Sequence, residues 1–115
     1  MPMGRLTTHV LDTANGRPAG GVPGRLYAID GVRMMVAEFT TNDDGRVDAP
    51  LLDEEDFACG TYELVFDVGD YFGAIDAGEK PFLSDITLRF YLGEDDHYHV
   101  PLLVTPWGYT TYRGS

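Results

Sequence analysis

His97 and His99 stand one residue apart around Tyr98, and on a β-strand that spacing puts both imidazoles on one face. Such a pair can chelate a metal ion or exchange protons with a bound molecule. A third imidazole, His9, lies in Leu6-Thr7-Thr8-His9-Val10-Leu11-Asp12, where strand alternation gives it the face of Thr7 and Leu11 and sets Thr8 and Val10 opposite. Near its ordinary pKa of about 6.5 a neutral imidazole can take a proton from water. Arg46, after the Asn42-Asp43-Asp44-Gly45 turn, adds a permanent cation, which steadies developing negative charge and favours the neutral form of an imidazole beside it. Singly these residues argue little, since a lone strand histidine is more often structural and an arginine at a strand start is usually solvated.

Other chemistries fit the residues less well. With His9 the histidine pair would complete a three-histidine zinc site, but no acidic residue stands at metalloprotease spacing, and three is the chain's whole histidine complement. Residues 40–51 do not form an EF-hand loop, because Thr40 stands where Asp is needed and Leu51 where a bidentate Glu is needed. Asp53-Glu54-Glu55-Asp56 reads as a solvated loop. Cys59, the single cysteine, can form no intrachain disulfide, has no basic neighbour to activate it, and reads as a buried small residue. Nucleophile elbow, P-loop and dinucleotide fingerprint are all missing, and the hydroxyls of Thr7, Thr8 and Ser115 sit in no recognisable activating turn. Histidine, arginine and water remain, so no metal and no cofactor is the expectation.

The elements that must hold these groups are short. Strands are expected at Arg5–Asp12, 24–30, 33–41, Gly60–Asp67, 87–93, 98–105 and 108–114, with 14 Gly and 7 Pro as punctuation; this is the texture of an antiparallel, all-β, two-sheet sandwich. Tyr62, Leu64 and Phe66 share one face of their strand, and Leu88, Phe90 and Leu92 share one face of theirs, as core stripes. Asn15-Gly16, Asp30-Gly31 and Asp44-Gly45 supply residues that tolerate positive φ in tight turns. Residues 69–77 carry Tyr71, Phe72 and Ile75 at one-turn spacing and suggest one short helix, though two glycines interrupt it.

The 115 residues, 43% hydrophobic, suit one globular domain over 1–115 with a substantial core. A net charge of −11, from 19 acidic against 8 basic residues, repels phosphates and anionic lipid heads, so neither nucleic acid nor membrane is an expected partner. No apolar run approaches the ~20 residues of a membrane span, and Met1-Pro2-Met3-Gly4-Arg5-Leu6 lacks the apolar stretch of a secretory leader. The default location is cytoplasmic.

Taken together, several segments resemble a known family: Leu6-Thr7-Thr8-His9-Val10-Leu11-Asp12-Thr13 with Gly16-Arg17-Pro18-Ala19, then Asp44-Gly45-Arg46, Tyr62-Glu63-Leu64 and Tyr71-Phe72, then His97-Tyr98-His99-Val100-Pro101-Leu102-Leu103, and last Gly108-Tyr109-Thr110-Thr111-Tyr112-Arg113-Gly114-Ser115. The family is that of the 5-hydroxyisourate hydrolases, the transthyretin-like proteins of the transthyretin superfamily. The Tyr-Arg-Gly-Ser ending is its most specific mark, because transthyretin shares the fold but neither that ending nor the histidine pair. Leu83-Ser84 departs from the family's commoner Phe-Pro, and Trp107 from its commoner Tyr.

The resemblance implies a transthyretin-like sandwich of two four-stranded sheets with one short helix, assembled as a homotetramer, a dimer of dimers with active sites in the channel between them. It implies hydrolysis of 5-hydroxyisourate, a purine-derived small molecule, to 2-oxo-4-hydroxy-4-carboxy-5-ureidoimidazoline on the way from urate to allantoin. The catalytic residues it points to are His9, Arg46, His99 and Ser115; the substrate-binding residues are His9, Arg46, Tyr112, Arg113, Gly114 and Ser115. Which histidine acts as base stays open at this point. The alternative is a transthyretin-like carrier of small aromatic ligands bound in the tetramer channel.

Overall fold

Alternation along the first strand decides which face of the molecule is core. In β1 (Arg5–Asp12) Leu6, Thr8, Val10 and Asp12 are buried, while Thr7, His9 and Leu11 are half-exposed. The inward polar groups are satisfied: the Thr8 hydroxyl donates to the Val100 carbonyl at 2.7 Å, and Asp12 accepts from the Ala14 and Asn15 amides, the Asn15 side chain and the Tyr71 hydroxyl. Burial works against the Asp12 carboxylate, yet the hydrogen bonds from Asn15, Tyr71 and Ala14 outweigh it and hold its pKa below the ordinary value.

The computed structural model describes residues 4–75 and 81–114. After β1 come β2 (Arg17–Pro18), β3 (Pro23–Asp30), β4 (Val32–Thr40), β5 (Gly60–Asp67), α1 (Val68–Ile75), β6 (Asp85–Leu92), β7 (His97–Val104) and β8 (Tyr109–Thr111). They form two four-stranded sheets, β2-β1-β7-β8 and β4-β3-β5-β6. The inner faces meet in one apolar cluster that includes Leu6, Val10, Leu26, Leu64, Phe66, Ile86, Leu88, Leu92 and Leu102, the arrangement of a β-sandwich. Tyr62, Leu64 and Phe66 all point into it, as the expected stripe requires, and Leu88 and Leu92 do so from β6 with Phe90 packed at its margin. Turn glycines Gly16, Gly31 and Gly45 adopt φ of 68°, 72° and 75°.

Several expectations are corrected. The sheets are not wholly antiparallel: β1 and β7 run parallel, as strands joined by a long crossover can, with β2 to β6 intervening in sequence. The strand β2 was absent from the expected set, because two residues carry no periodicity. The last strand is shorter than 108–114, since after Thr111 the chain leaves β7 and returns only at Gly114. The helix begins at Val68 with the Asp67 side chain accepting the Asp70 amide, a capping geometry; residues 76 and 77 of the expected helix lie outside the described residues. Gly69, which counted against a helix, allows close packing, for a Cβ there would stand 2.9 Å from the Ser84 Cα. Cys59 is exposed, not buried, because it sits in the loop before β5 while neighbouring Phe57 stacks on Tyr98 at 6.2 Å.

Candidate active site

The parallel register sets Thr7 beside His99 and Arg5 beside His97. Because Tyr98 and Val100 turn inward, both imidazoles share the outward face, as the alternating spacing required. There they converge on one hydroxyl: Thr7 Oγ1 lies 2.8 Å from His99 Nδ1 and 3.2 Å from His97 Nε2.

A turn carries Arg46 to the same face. The Asn42 side chain accepts the Asp44 and Arg46 amides, its backbone bonds to Arg46 and Gly45, and the Gly45 carbonyl accepts the Val10 amide at 2.8 Å. Gly45 is needed twice over, for its positive φ and because a Cβ there would collide with the Val10 carbonyl. Arg46 thereby bridges to His9 across β1. Among the described residues no carboxylate pairs with it, so its charge is free to act on the site.

The His9 ring lies 6.3 Å from the His99 ring, centroid to centroid. His9 Nε2 is 3.0 Å from the Asp44 carbonyl oxygen; a carbonyl only accepts, so Nε2 carries the proton and the neutral ring keeps a lone pair on Nδ1. Burial lowers the His9 pKa and Arg46 lowers it further, against the opposing pull of Asp44. Burial likewise lowers His99, followed by Arg46, His9 and His97. Both shifts favour the neutral form of the ring. Beside His99 opens a hollow of about 410 Å³ lined by Arg5, Thr7, Thr8, Arg46, Val47, His97 and His99; His9 is not part of this lining.

The C-terminal segment enters at one point. The Gly114 amide donates to the His99 carbonyl at 2.6 Å, and a Cβ on Gly114 would stand 2.9 Å from the ring carbon Cδ2 of His99, so only glycine lets the chain pass against that imidazole. Tyr112 and Arg113 do not reach the imidazoles within one chain. Arg113 lies 4.3 Å over the Tyr98 ring and pairs with Asp96 at 3.4 Å, and both line a separate hollow of about 170 Å³ with β6. Ser115 lies outside the described residues. Arg5 and Val47 join the site although the sequence did not single them out; for Arg5 the signal was there, since it alternates with Thr7 and His9. Among the described residues no group of three or more His, Cys, Asp or Glu is gathered to hold a metal ion.

Residues 6–114 match the model of the HIUase/Transthyretin family. A 5-hydroxyisourate hydrolase of Pseudomonas aeruginosa is 52% identical over 118 residues, covering 99% of this chain and 94% of that one. A solved (S)-allantoin synthase superimposes with a TM-score of 0.92 at 46% identity; the alignment covers 99% of this chain but 44% of that longer one. Transthyretin from Sparus aurata superimposes with a TM-score of 0.85 at 27% identity, covering 96% of each chain.

Proposed function

The chain belongs to the HIUase/Transthyretin family, and from that premise we propose that it is a cofactor-free 5-hydroxyisourate hydrolase, one domain over residues 1–115, acting in urate degradation. The observation that carries the reading is the convergence of the His9 and His99 imidazoles, 6.3 Å apart, with the guanidinium of Arg46, which no carboxylate pairs among the described residues. Transthyretin shares the fold, but a carrier has no need of this trio.

His9 Nδ1 takes a proton from water as the oxygen adds to the ring carbonyl of the substrate; such a base is worth ~10²- to 10⁴-fold. Arg46 and an N–H of His99 receive the developing oxyanion. Collapse re-forms the carbonyl, breaks the ring C–N bond, and returns the His9 proton to the departing nitrogen. Tyr112, Arg113, Gly114 and Ser115 are assigned to the substrate edge.

The hollow is open to solvent, and closure by a second copy fits it: β8 is a three-residue edge strand with Tyr109 exposed on it and Tyr112 exposed just after it, suited to pairing about a two-fold axis. With this closure we propose a homotetramer built as a dimer of dimers, in the cytoplasm, where exposed Cys59 stays reduced. No helix among the described residues is long and apolar enough to cross a membrane.

The test is the loss of absorbance of freshly generated 5-hydroxyisourate. Purified protein should speed it beyond spontaneous decay, before and after exhaustive chelation. No acceleration, with saturable binding of small aromatic ligands, would favour the carrier; activity that vanishes on chelation and returns with zinc would replace this mechanism by a metal-bound hydroxide.

A further inference from the structure

We infer that Thr7 and His97 form a hydrogen-bonded relay that fixes the tautomer of His99, so that His99 presents an N–H to the site while His9 presents a lone pair. The inference deepens the hydrolase reading and rests on it. Two neighbouring threonines make the contrast. Thr8 donates its hydroxyl to a buried backbone carbonyl, as a structural threonine on a strand does. Among the described residues the Thr7 hydroxyl engages no backbone group; it lies between two imidazole nitrogens.

A hydroxyl has one proton and two lone pairs, so it donates to at most one of the two rings. The shorter contact, 2.8 Å to His99 Nδ1, is the one we assign as donated by Thr7, and the 3.2 Å contact to His97 Nε2 as the one it accepts. His99 Nδ1 is then an acceptor, and the neutral ring keeps its proton on Nε2. His9 is locked in the same Nε2–H form, but by a carbonyl that occupies the N–H and leaves Nδ1 free. The same tautomer thus offers opposite faces: a base at His9 and a donor at His99. Threonine suits the linking position because its β-branched side chain is stiff at χ1 and the parallel register holds it opposite His99.

The charged and titratable groups around His99 are Arg46 from the 42–46 turn, His9 and Arg5 from β1, and His97 from β7. Asp44 acts on His9 instead, and the Asp96 carboxylate takes the His97 amide. Among the described residues no carboxylate holds the His99 ring, and the one hydrogen bond to it comes from Thr7. Thr7 is a positioning residue, acting on the substrate only through His99.

Nitrogen-15 spectra of the histidine side chains should show a proton on His99 Nε2 and a bare Nδ1 in the parent protein, and a mixture of tautomers in Thr7→Val. Thr7→Val, close in shape, should lose roughly 5- to 20-fold in kcat with KM within about twofold, and the His99 pKa read from the same spectra should rise because nothing then opposes protonation at Nδ1. Thr7→Ser should restore both rate and tautomer, and His97→Phe should give a smaller fall in kcat. A His99 proton on Nδ1 in the parent, or a Thr7→Val enzyme with parental kcat and a single parental tautomer, would overturn the relay. A parent that hydrolyses nothing would defeat the hydrolase reading instead, and the tautomer spectra would still decide the relay.

Discussion

The two faces of the β1–β7 pair are built from alternate residues of the same strands and are held by different physics. The inner face, with Leu6, Val10, Leu102 and Val104 at 1% exposure or less, is stabilised by the removal of apolar surface from water, worth roughly 1.5–3 kcal/mol per large side chain. The outer face contributes little burial. Thr7, His9, His97 and His99 stand there half-exposed, held by a few directed contacts. One residue of register separates stability from chemistry, so a substitution should register in one property and spare the other.

The largest effect expected on the inner face is that of Leu102→Ala, which should cost about 2–5 kcal/mol of unfolding free energy and leave kcat per folded molecule unchanged; chemical denaturation with single-turnover kinetics checks both. Loss of kcat in fully folded protein would break the division of roles. On the outer face Gly114→Ala should do the reverse. The added methyl displaces the His99 ring, and a misplacement near 1 Å can cost on the order of 10²-fold in rate, with the melting curve little changed.

A smaller effect follows at Arg46. Arg46→Lys keeps the charge but not the planar fork, and loss of one charge-assisted hydrogen bond should lower kcat/KM by roughly 10-fold. A change within about twofold would mean that charge alone acts there. Smallest is a shift in pH profile. Burial and then Arg46 lower the His9 pKa from its ordinary 6.5, and the base works only when unprotonated. Activity should therefore be full above that lowered value and fall as pH drops through it, with a midpoint below 6.5; Arg46→Met should raise the midpoint, and a parental midpoint above 6.5 would contradict the assignment.

The outer face was legible in one dimension only. Alternation gave the bounds of β1 and the shared face of His97 and His99, because period two is a local property of a strand. It could not give the parallel register that sets Thr7 beside His99, 92 positions away, since pairing between distant strands is decided by the packed core. Thr7 was accordingly weighed as a nucleophile and set aside, when its position makes it a link between two imidazoles. Arg46 looked like a solvated strand start, and only the Gly45 turn against Val10 turns it to the site. Cys59 was misjudged because its apolar neighbours Phe57 and Ala58 suggested burial, whereas Phe57 alone packs inward.

The central claim, that the outer face is a hydrolytic site with His9 as its base, meets its most direct test in His9→Gln. Glutamine keeps an N–H that can donate to the Asp44 carbonyl but has no basic nitrogen. Measured on freshly generated 5-hydroxyisourate, the variant should lose ~10²- to 10⁴-fold in kcat while its unfolding free energy stays within about 0.5 kcal/mol of the parent; an equally stable His9→Gln protein that turns over at the parental rate would contradict the account.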